Sequence, residues 1–210
     1  MGWQDTSLPF GDKTTPLNQR YHTPNMERLT SQGMKFTQAY VCAVCSPRED
    51  GVRVPMIARW PGVTNPGSVC DDYLIIEDFF TTILEIVGAQ PDVPVDGVSF
   101  VPLLKGETGL NHGRPLVWHF PNVWGQQRQG YGPYSSLRLD DWKYIFYHNP
   151  AQSVREELFH IPADIGETKN LAAAAPEKLQ EMRQMLRQYL KQVDAPMPSD
   201  AQTGDPIQIP

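Results

Sequence analysis

The alternation of short strand-forming runs between residues 115 and 160, followed by one long amphipathic stretch, most constrains how this chain can fold. Residues 115–120, 135–139, 142–147 and 157–160 are dominated by apolar, aromatic and β-branched side chains and read as strands. Only Asp140-Asp141 separates the middle pair. Both residues tolerate positive φ, so the pair reads as an antiparallel hairpin with a two-residue loop. From Pro176 to about Val193, Leu179, Met182, Leu186, Tyr189 and Val193 recur at helical spacing and line one face. The rest of the chain from Asp194 is proline-rich and reads as a disordered tail.

The first half reads differently. Residues 1–20 are irregular, punctuated by Pro9, Gly11 and Pro16. A short helix follows, with Thr23 as N-cap, Pro24 in the first helical position and Gly33 as the stop. Met34, Phe36, Gln38 and Tyr40 then alternate with Lys35, Thr37, Ala39 and Val41, the period of a strand. That strand delivers Cys42-Ala43-Val44-Cys45-Ser46-Pro47 into a loop, and strand ends in α/β sheets present loop residues at binding sites. Residues 54–59 read as another strand, closed by the Trp60-Pro61-Gly62 turn. Residues 71–87 read as a helix: Leu74, Ile75, Phe79, Ile83, Ile86 and Val87 share a face, Asp71 and Asp72 favour its N-terminus, and Gly88 ends it. No internal repeat is visible.

Composition excludes several classes. With 210 residues the chain can bury one or two cores, and 20 prolines against 16 glycines point to many extended connections. A net charge of -6, with 18 scattered Lys and Arg residues, argues against a nucleic-acid binder, which needs a clustered basic face. No apolar run is long enough to span a membrane, and Met1-Gly2-Trp3-Gln4-Asp5 lacks the basic and apolar regions of a secretory signal. The 3 cysteines, Cys42, Cys45 and Cys70, do not make a disulfide framework. Cys42-X-X-Cys45 follows a strand, whereas a redox dithiol belongs at a helix N-terminus, and a structural zinc site would need two further ligands that no second pair supplies.

Several segments together resemble the formylglycine-dependent sulfatases. They are Thr23-Pro24-Asn25-Met26-Glu27-Arg28-Leu29, the run from Gly33 to Thr37, and Cys45-Ser46-Pro47-Arg48. In that family a Cys-X-Pro-X-Arg motif carries the nucleophile; here the arginine comes one position early. Glu49-Asp50-Gly51-Val52-Arg53-Val54-Pro55, ending in Trp60-Pro61-Gly62, resembles a family segment that elsewhere lies beyond a long central block. Asp96-Gly97-Val98-Ser99-Phe100-Val101-Pro102-Leu103-Leu104-Lys105-Gly106 and Asp164-Ile165-Gly166-Glu167-Thr168-Lys169-Asn170-Leu171 match two further family patterns. The resemblance reaches to about Pro196, as two pieces joined near residues 47–49.

The resemblance implies a remnant of the α/β alkaline-phosphatase-like fold. Residues 1–110 would be an incomplete catalytic domain, residues 111–195 a C-terminal subdomain of antiparallel sheet plus helix, and residues 196–210 a disordered tail. It implies sulfuric ester hydrolysis with Ca²⁺ and a formylglycine derived from Cys45, whose hydrated aldehyde attacks sulfur. Arg48 would stand in for the motif arginine. The implied partner is a sulfated carbohydrate or aryl sulfate. The metal aspartates would precede Met1, so no metal ligand is assigned; Asp5, Glu49 and Asp50 are the nearest acids and also read as solvated loop residues or caps. The family is commonly exported. With the metal set and the sulfate-binding lysine and histidine absent, the expectation is that these residues alone do not turn over substrate. The rival expectation is a non-catalytic relic or interaction module whose C-terminal subdomain alone folds well.

Three other features carry two readings each. His119, in Trp118-His119-Phe120-Pro121, either contacts substrate or sits at a strand end making one hydrogen bond. Arg53 holds the local fold by pairing with a carboxylate or a carbonyl. Trp124, Tyr131 and Tyr134, interleaved with glycines, make either a carbohydrate-stacking loop or a plain surface loop. His22 reads as structural, and His112, His148 and His160 carry no motif.

Overall fold

A computed structural model describes residues 2–11, 13–41, 52–122 and 132–210. These fall into two compact units, one holding the described residues up to 112 and the other those from 113 onward.

The first unit is built on β1 (Met34–Val41), the centre of a 3-stranded sheet of order β2-β1-β3. Strand β2 (Val52–Ala58) pairs with it antiparallel and β3 (Ser68–Ile75) parallel. The alternation expected along β1 breaks midway. Register shifts between Phe36 and Ala39 mark a bulge. Ala39 and Tyr40 are buried beyond it, while the Gln38 amide donates to the Asp71 carbonyl at 2.6 Å. One unpaired residue turns every later side chain to the other face.

Helix α1 (Pro24–Gln32) forms as expected, but its ends are made by other means. Thr23 makes no cap hydrogen bond; its hydroxyl accepts the Ser7 N–H at 3.0 Å. Gly33 is extended, so positive φ is not what it provides. A Cβ there would lie 2.4 Å from the Ala58 carbonyl oxygen, so the glycine is required by the approach of β2.

The helix expected over residues 71–87 is a correction. Its first part is β3, and α2 (Asp78–Ile86) begins only after a turn. Cys70, Tyr73, Leu74 and Ile75 are buried in the sheet. A continuous apolar run reads equally as buried strand or helix, and pairing with β1 decided between them. Asp71 and Asp72 therefore do not cap a helix. Asp71 accepts the Thr37 hydroxyl at 2.7 Å, and Asp72 accepts the Gly109 N–H at 2.9 Å. Asp78 is the residue at the helix start: fully buried, it accepts the N–H groups of Ile75 at 3.0 Å and Val98 at 2.9 Å. The Asp96-Gly97 step packs so closely on this turn that a Cβ on Gly97 would sit 2.2 Å from the Glu77 carbonyl oxygen. Phe100, Leu103 and Leu104, the last two in α3 (Val101–Leu104), then join Met34, Phe36 and Leu74 in the core. Cys70 is a buried free thiol, its pKa pushed up to about 11 chiefly by burial.

The segment read as irregular, residues 2–20, is ordered by two side chains. The Asn18 amide donates to the carbonyls of Gln4, Thr6 and Leu8 at 3.2, 2.9 and 3.2 Å. Arg53 donates to the carbonyls of Phe10 and Thr37 and lies over the Trp3 ring at 4.8 Å.

The second unit is a 4-stranded antiparallel sheet, β4 (Leu116–Phe120), β5 (Tyr134–Leu139), β6 (Trp142–Tyr147) and β7 (Glu156–His160), in sequence order. Asp140 takes φ 50° in the hairpin between β5 and β6. Helix α4 (Pro176–Gln192) packs on β5 and β6, burying Met182, Leu186 and Leu190 against Leu137, Tyr144 and Phe146. The Asp164–Leu171 motif is a clamp beside β7. Asp164 accepts the N–H groups of Thr168 and Lys169 at 2.8 and 2.7 Å. Asn170 accepts the Leu158 N–H at 3.1 Å and donates to the Glu156 carbonyl at 3.0 Å. Glu167 pairs with the buried Lys143 at 2.8 Å.

The tail read as disordered is the second correction. Residues 197–210 return to the sheet unit: the Ile207 N–H donates to the Pro198 carbonyl at 2.8 Å, and Ile209 enters the core at 5% exposure. Two isoleucines near the end provide the burial that proline-rich composition concealed. Among the described residues no helix is long and apolar enough to cross a membrane.

Candidate functional site

Strand β1 ends at Val41, and the chain continues toward Cys45. Because β1 and β3 are parallel, their C-terminal ends lie together, the edge where α/β sheets carry their sites. Cys45 and Arg48 lie outside the described residues, as do Cys42, Glu49 and Asp50. Asp5 is described: its carboxylate accepts the Gly2 N–H at 2.8 Å and the Tyr21 hydroxyl at 3.1 Å. It pins the N-terminal loop.

His119 lies in β4, directly opposite Ser135 of β5. Its Nδ1 is 2.7 Å from Ser135 Oγ, and its Nε2 is 3.0 Å from the Pro196 carbonyl oxygen. Ser135 Oγ is in turn 2.8 Å from His148 Nε2. One hydroxyl thus joins two imidazoles, and all three side chains belong to the sheet unit. Burial lowers the pKa of both histidines: against the Pro196 contact for His119, and to about 3 for His148, with repulsion from His119 and Arg155 adding to burial.

With both rings neutral, the protons can be placed. A carbonyl only accepts, so His119 Nε2–H donates to Pro196. His119 Nδ1 then accepts the Ser135 hydroxyl proton, and Ser135 Oγ accepts from His148 Nε2–H. His119 therefore makes two hydrogen bonds at the strand end, where one was expected. A substrate oxygen could engage its Nε2 only in place of the Pro196 carbonyl. Ser135 and His148 carried no motif; strand register alone brings them to His119.

Of the aromatic loop, Trp124 and Tyr131 lie outside the described residues. Tyr134 is 3% exposed and stacks on Phe120 at 6.0 Å between centroids, so it is part of the sheet. Among the described residues no group of three or more His, Cys, Asp or Glu side chains could hold a metal ion.

Residues 47–196 match the family model of the N-sulphoglucosamine sulphohydrolase C-terminal region. The chain belongs to the sulfatase family. A sulfatase of Formosa agariphila is 32% identical over 160 residues, which are 70% of this chain and 29% of that protein. Arylsulfatase K of Xenopus laevis is 30% identical over 142 residues, 66% of this chain and 26% of its own. This chain therefore spans about three-tenths of the length of these sulfatases. A protein solved in complex with its substrate D-glucosamine-2-N,6-O-disulfate shares the fold with a TM-score of 0.56 at 24% identity, over 69% of this chain and 29% of that one. The alkaline-phosphatase-like fold class is thereby shown, with the small antiparallel sheet and its helix as part of it.

Proposed function

We propose that this sulfatase-family chain serves sulfuric ester hydrolysis on a sulfated carbohydrate or aryl sulfate, and that Cys45 is the residue converted to formylglycine. One observation carries the reading. The family match begins at residue 47, two residues beyond Cys45, on the segment into which β1 runs. A sulfatase C-terminal region thus follows directly on a cysteine spaced from a proline as a nucleophile is. The carbohydrate assignment draws on the disulfated glucosamine bound by the relative of like fold. Arg48 is the residue assigned to steady the nucleophile loop.

Calcium is the ion that this chemistry requires, supplying charge against the sulfate oxygens. The described residues do not fit it, since a Ca²⁺ ion takes about six to eight oxygen ligands and no group of three or more His, Cys, Asp or Glu side chains that could hold an ion is present among them. No ligand is assigned and no step is routed through the ion. These 210 residues alone are therefore expected not to turn over substrate. The rival reading is a non-catalytic interaction module.

The test is expression of the chain with a formylglycine-forming enzyme, followed by mass analysis of the Cys45 peptide. Turnover of an aryl sulfate and of disulfated glucosamine is then measured, with thermal melts in calcium and in chelator. Cys45 conversion, without turnover or a calcium-dependent rise in Tm, is the expected result. Calcium stabilisation would overturn the incomplete-site reading, because an ion bound only by the native state must raise stability. Unconverted Cys45 would remove the nucleophile assignment and leave the interaction module.

A further inference from the structure

Helix α2 is mounted with its polar side inward. Its buried residues are Asp78 and Thr82. The Thr82 hydroxyl donates to the Asp78 carbonyl at 2.6 Å and accepts the Phe100 N–H at 3.0 Å. Polar bonds thus fix the helix to its own core, with Phe79 at the margin, edge-on to Phe100 at 5.2 Å between centroids. Phe80, Ile83 and Val87 recur at i, i+3 and i+7, on the side opposite Asp78 and Thr82, and are exposed. So are Ile86 beside them and Ile76 just ahead of the helix. A helix on a protein surface turns its apolar stripe to the core and its polar residues to water. Here the stripe faces away from the core, the arrangement of a helix held between two layers.

The kind of surface that meets this stripe can be narrowed. The family match over residues 47–196 includes α2, so the helix belongs to the part that this chain shares with the sulfatases. The chain spans only about three-tenths of the length of its relatives, and the larger part of their polypeptide lies outside the match. The exposed charges from residue 76 to residue 87 are Glu77 and Glu85. A second copy of this chain laid against the stripe would bring carboxylates toward carboxylates, and like charges in apposition cost binding energy. Helices that lie on a membrane surface are rich in Lys and Arg, and this stretch has neither.

We propose that the outer face of α2 docks a separate polypeptide, one that carries the body of a sulfatase lying outside the match and meets Phe80, Ile83 and Val87 with an apolar surface of its own. The inference rests on the sulfatase reading and names the partner of that same chemistry. Docking is read from the α2 face and the nucleophile assignment from Cys45, so the failure of one is distinguishable from the failure of the other.

The test is co-expression of the full 210-residue chain, carrying an affinity tag, with the Formosa agariphila sulfatase from which the region matching this chain has been deleted. The two should co-purify as a 1:1 complex by light scattering, which requires a dissociation constant of about 1 μM or below. Phe80→Glu with Ile83→Lys should reduce the co-purified partner by at least about tenfold while the Tm of the free chain stays unchanged. Phe80→Leu with Ile83→Val, which keeps the face apolar, should retain the complex. Absence of co-purification, including a partner that stays insoluble alongside the parent chain, overturns the proposal. So does a complex that survives Phe80→Glu with Ile83→Lys, which would put the contact elsewhere. A discrete dimer of this chain that excludes the partner would make the occupant a second copy, and flotation with phosphatidylcholine–phosphatidylglycerol vesicles in place of co-purification would make it lipid; either result overturns the proposal. Mass analysis of the Cys45 peptide from the same samples separates the two readings. An unconverted Cys45 within an intact complex removes the nucleophile assignment and supports docking, whereas conversion without a complex removes docking alone.

Discussion

Ser135 has a single hydroxyl proton, and two imidazoles depend on where it goes. Because it faces His119, His148 must donate to Ser135, and burial, with repulsion from His119 and Arg155, lowers the His148 pKa to about 3 against an ordinary 6.5. The linkage has a definite sign. The unfolded chain protonates this ring below about pH 6.5 while the folded chain does not, so the stability it contributes is complete above that pH. It is lost progressively as pH falls toward about 3. His119 is shifted the same way. Each ring adds a slope of up to about 1.4 kcal/mol per pH unit within its window. Chemical denaturation between about pH 7 and pH 5 should show His148→Gln less pH-sensitive than the parent chain; equal slopes would mean that His148 already protonates in the fold. Of this trio the sequence marked His119 alone. The three residues stand on three segments that only strand register brings together, whereas Arg53 was legible as a fold-holding residue.

At the scale of elements, legibility followed local signals. Helix α4 buries one face, so its period survives in the sequence, whereas β5 and β6 are buried on both faces and were readable from their β-branched and aromatic composition and the two-residue loop between them; the bounds of all five elements were readable to within about two residues. Strand β3 does not alternate. Tyr73, Leu74 and Ile75 are all buried, and the run passed for the start of a helix. The tail shows the converse error, with composition read as disorder where a few apolar residues suffice for order. Ile209 lies among Leu137, Leu186 and Leu190. Ile209→Ala should cost about 2–5 kcal/mol, the usual range for such core truncations, and should raise amide exchange across residues 197–209. Unchanged exchange there would show that the Ser199–Pro206 bridge and the turn around Asp200 hold the tail without the isoleucine.

At the scale of the whole molecule, each unit has its own core, and the first wears an apolar outer surface. On α2 and its C-cap, Phe79 packs inward while Phe80, Ile83, Ile86 and Val87 are 53%, 56%, 44% and 68% exposed. Sequence periodicity put Ile83, Ile86 and Val87 on one face with Phe79; it could not tell which part of that stripe the sheet would cover. An exposed group of this kind favours association, so Phe80→Glu with Ile83→Lys should raise the soluble monomer fraction in light scattering without lowering Tm. A fall in Tm would show these side chains to be part of the core. The sequence by itself determined the family, the nucleophile candidate, the hairpin and the closing helix. Those rest on local signals: a motif, a turn whose residues tolerate positive φ, and a period matched to one buried face. Tertiary structure alone decided the split between β3 and α2, the bulge in β1, the docking of the tail and the His119–Ser135–His148 chain. Each of these depends on a partner distant in sequence, and the free energy that selects it comes from burial and hydrogen bonding across that distance rather than from local preference.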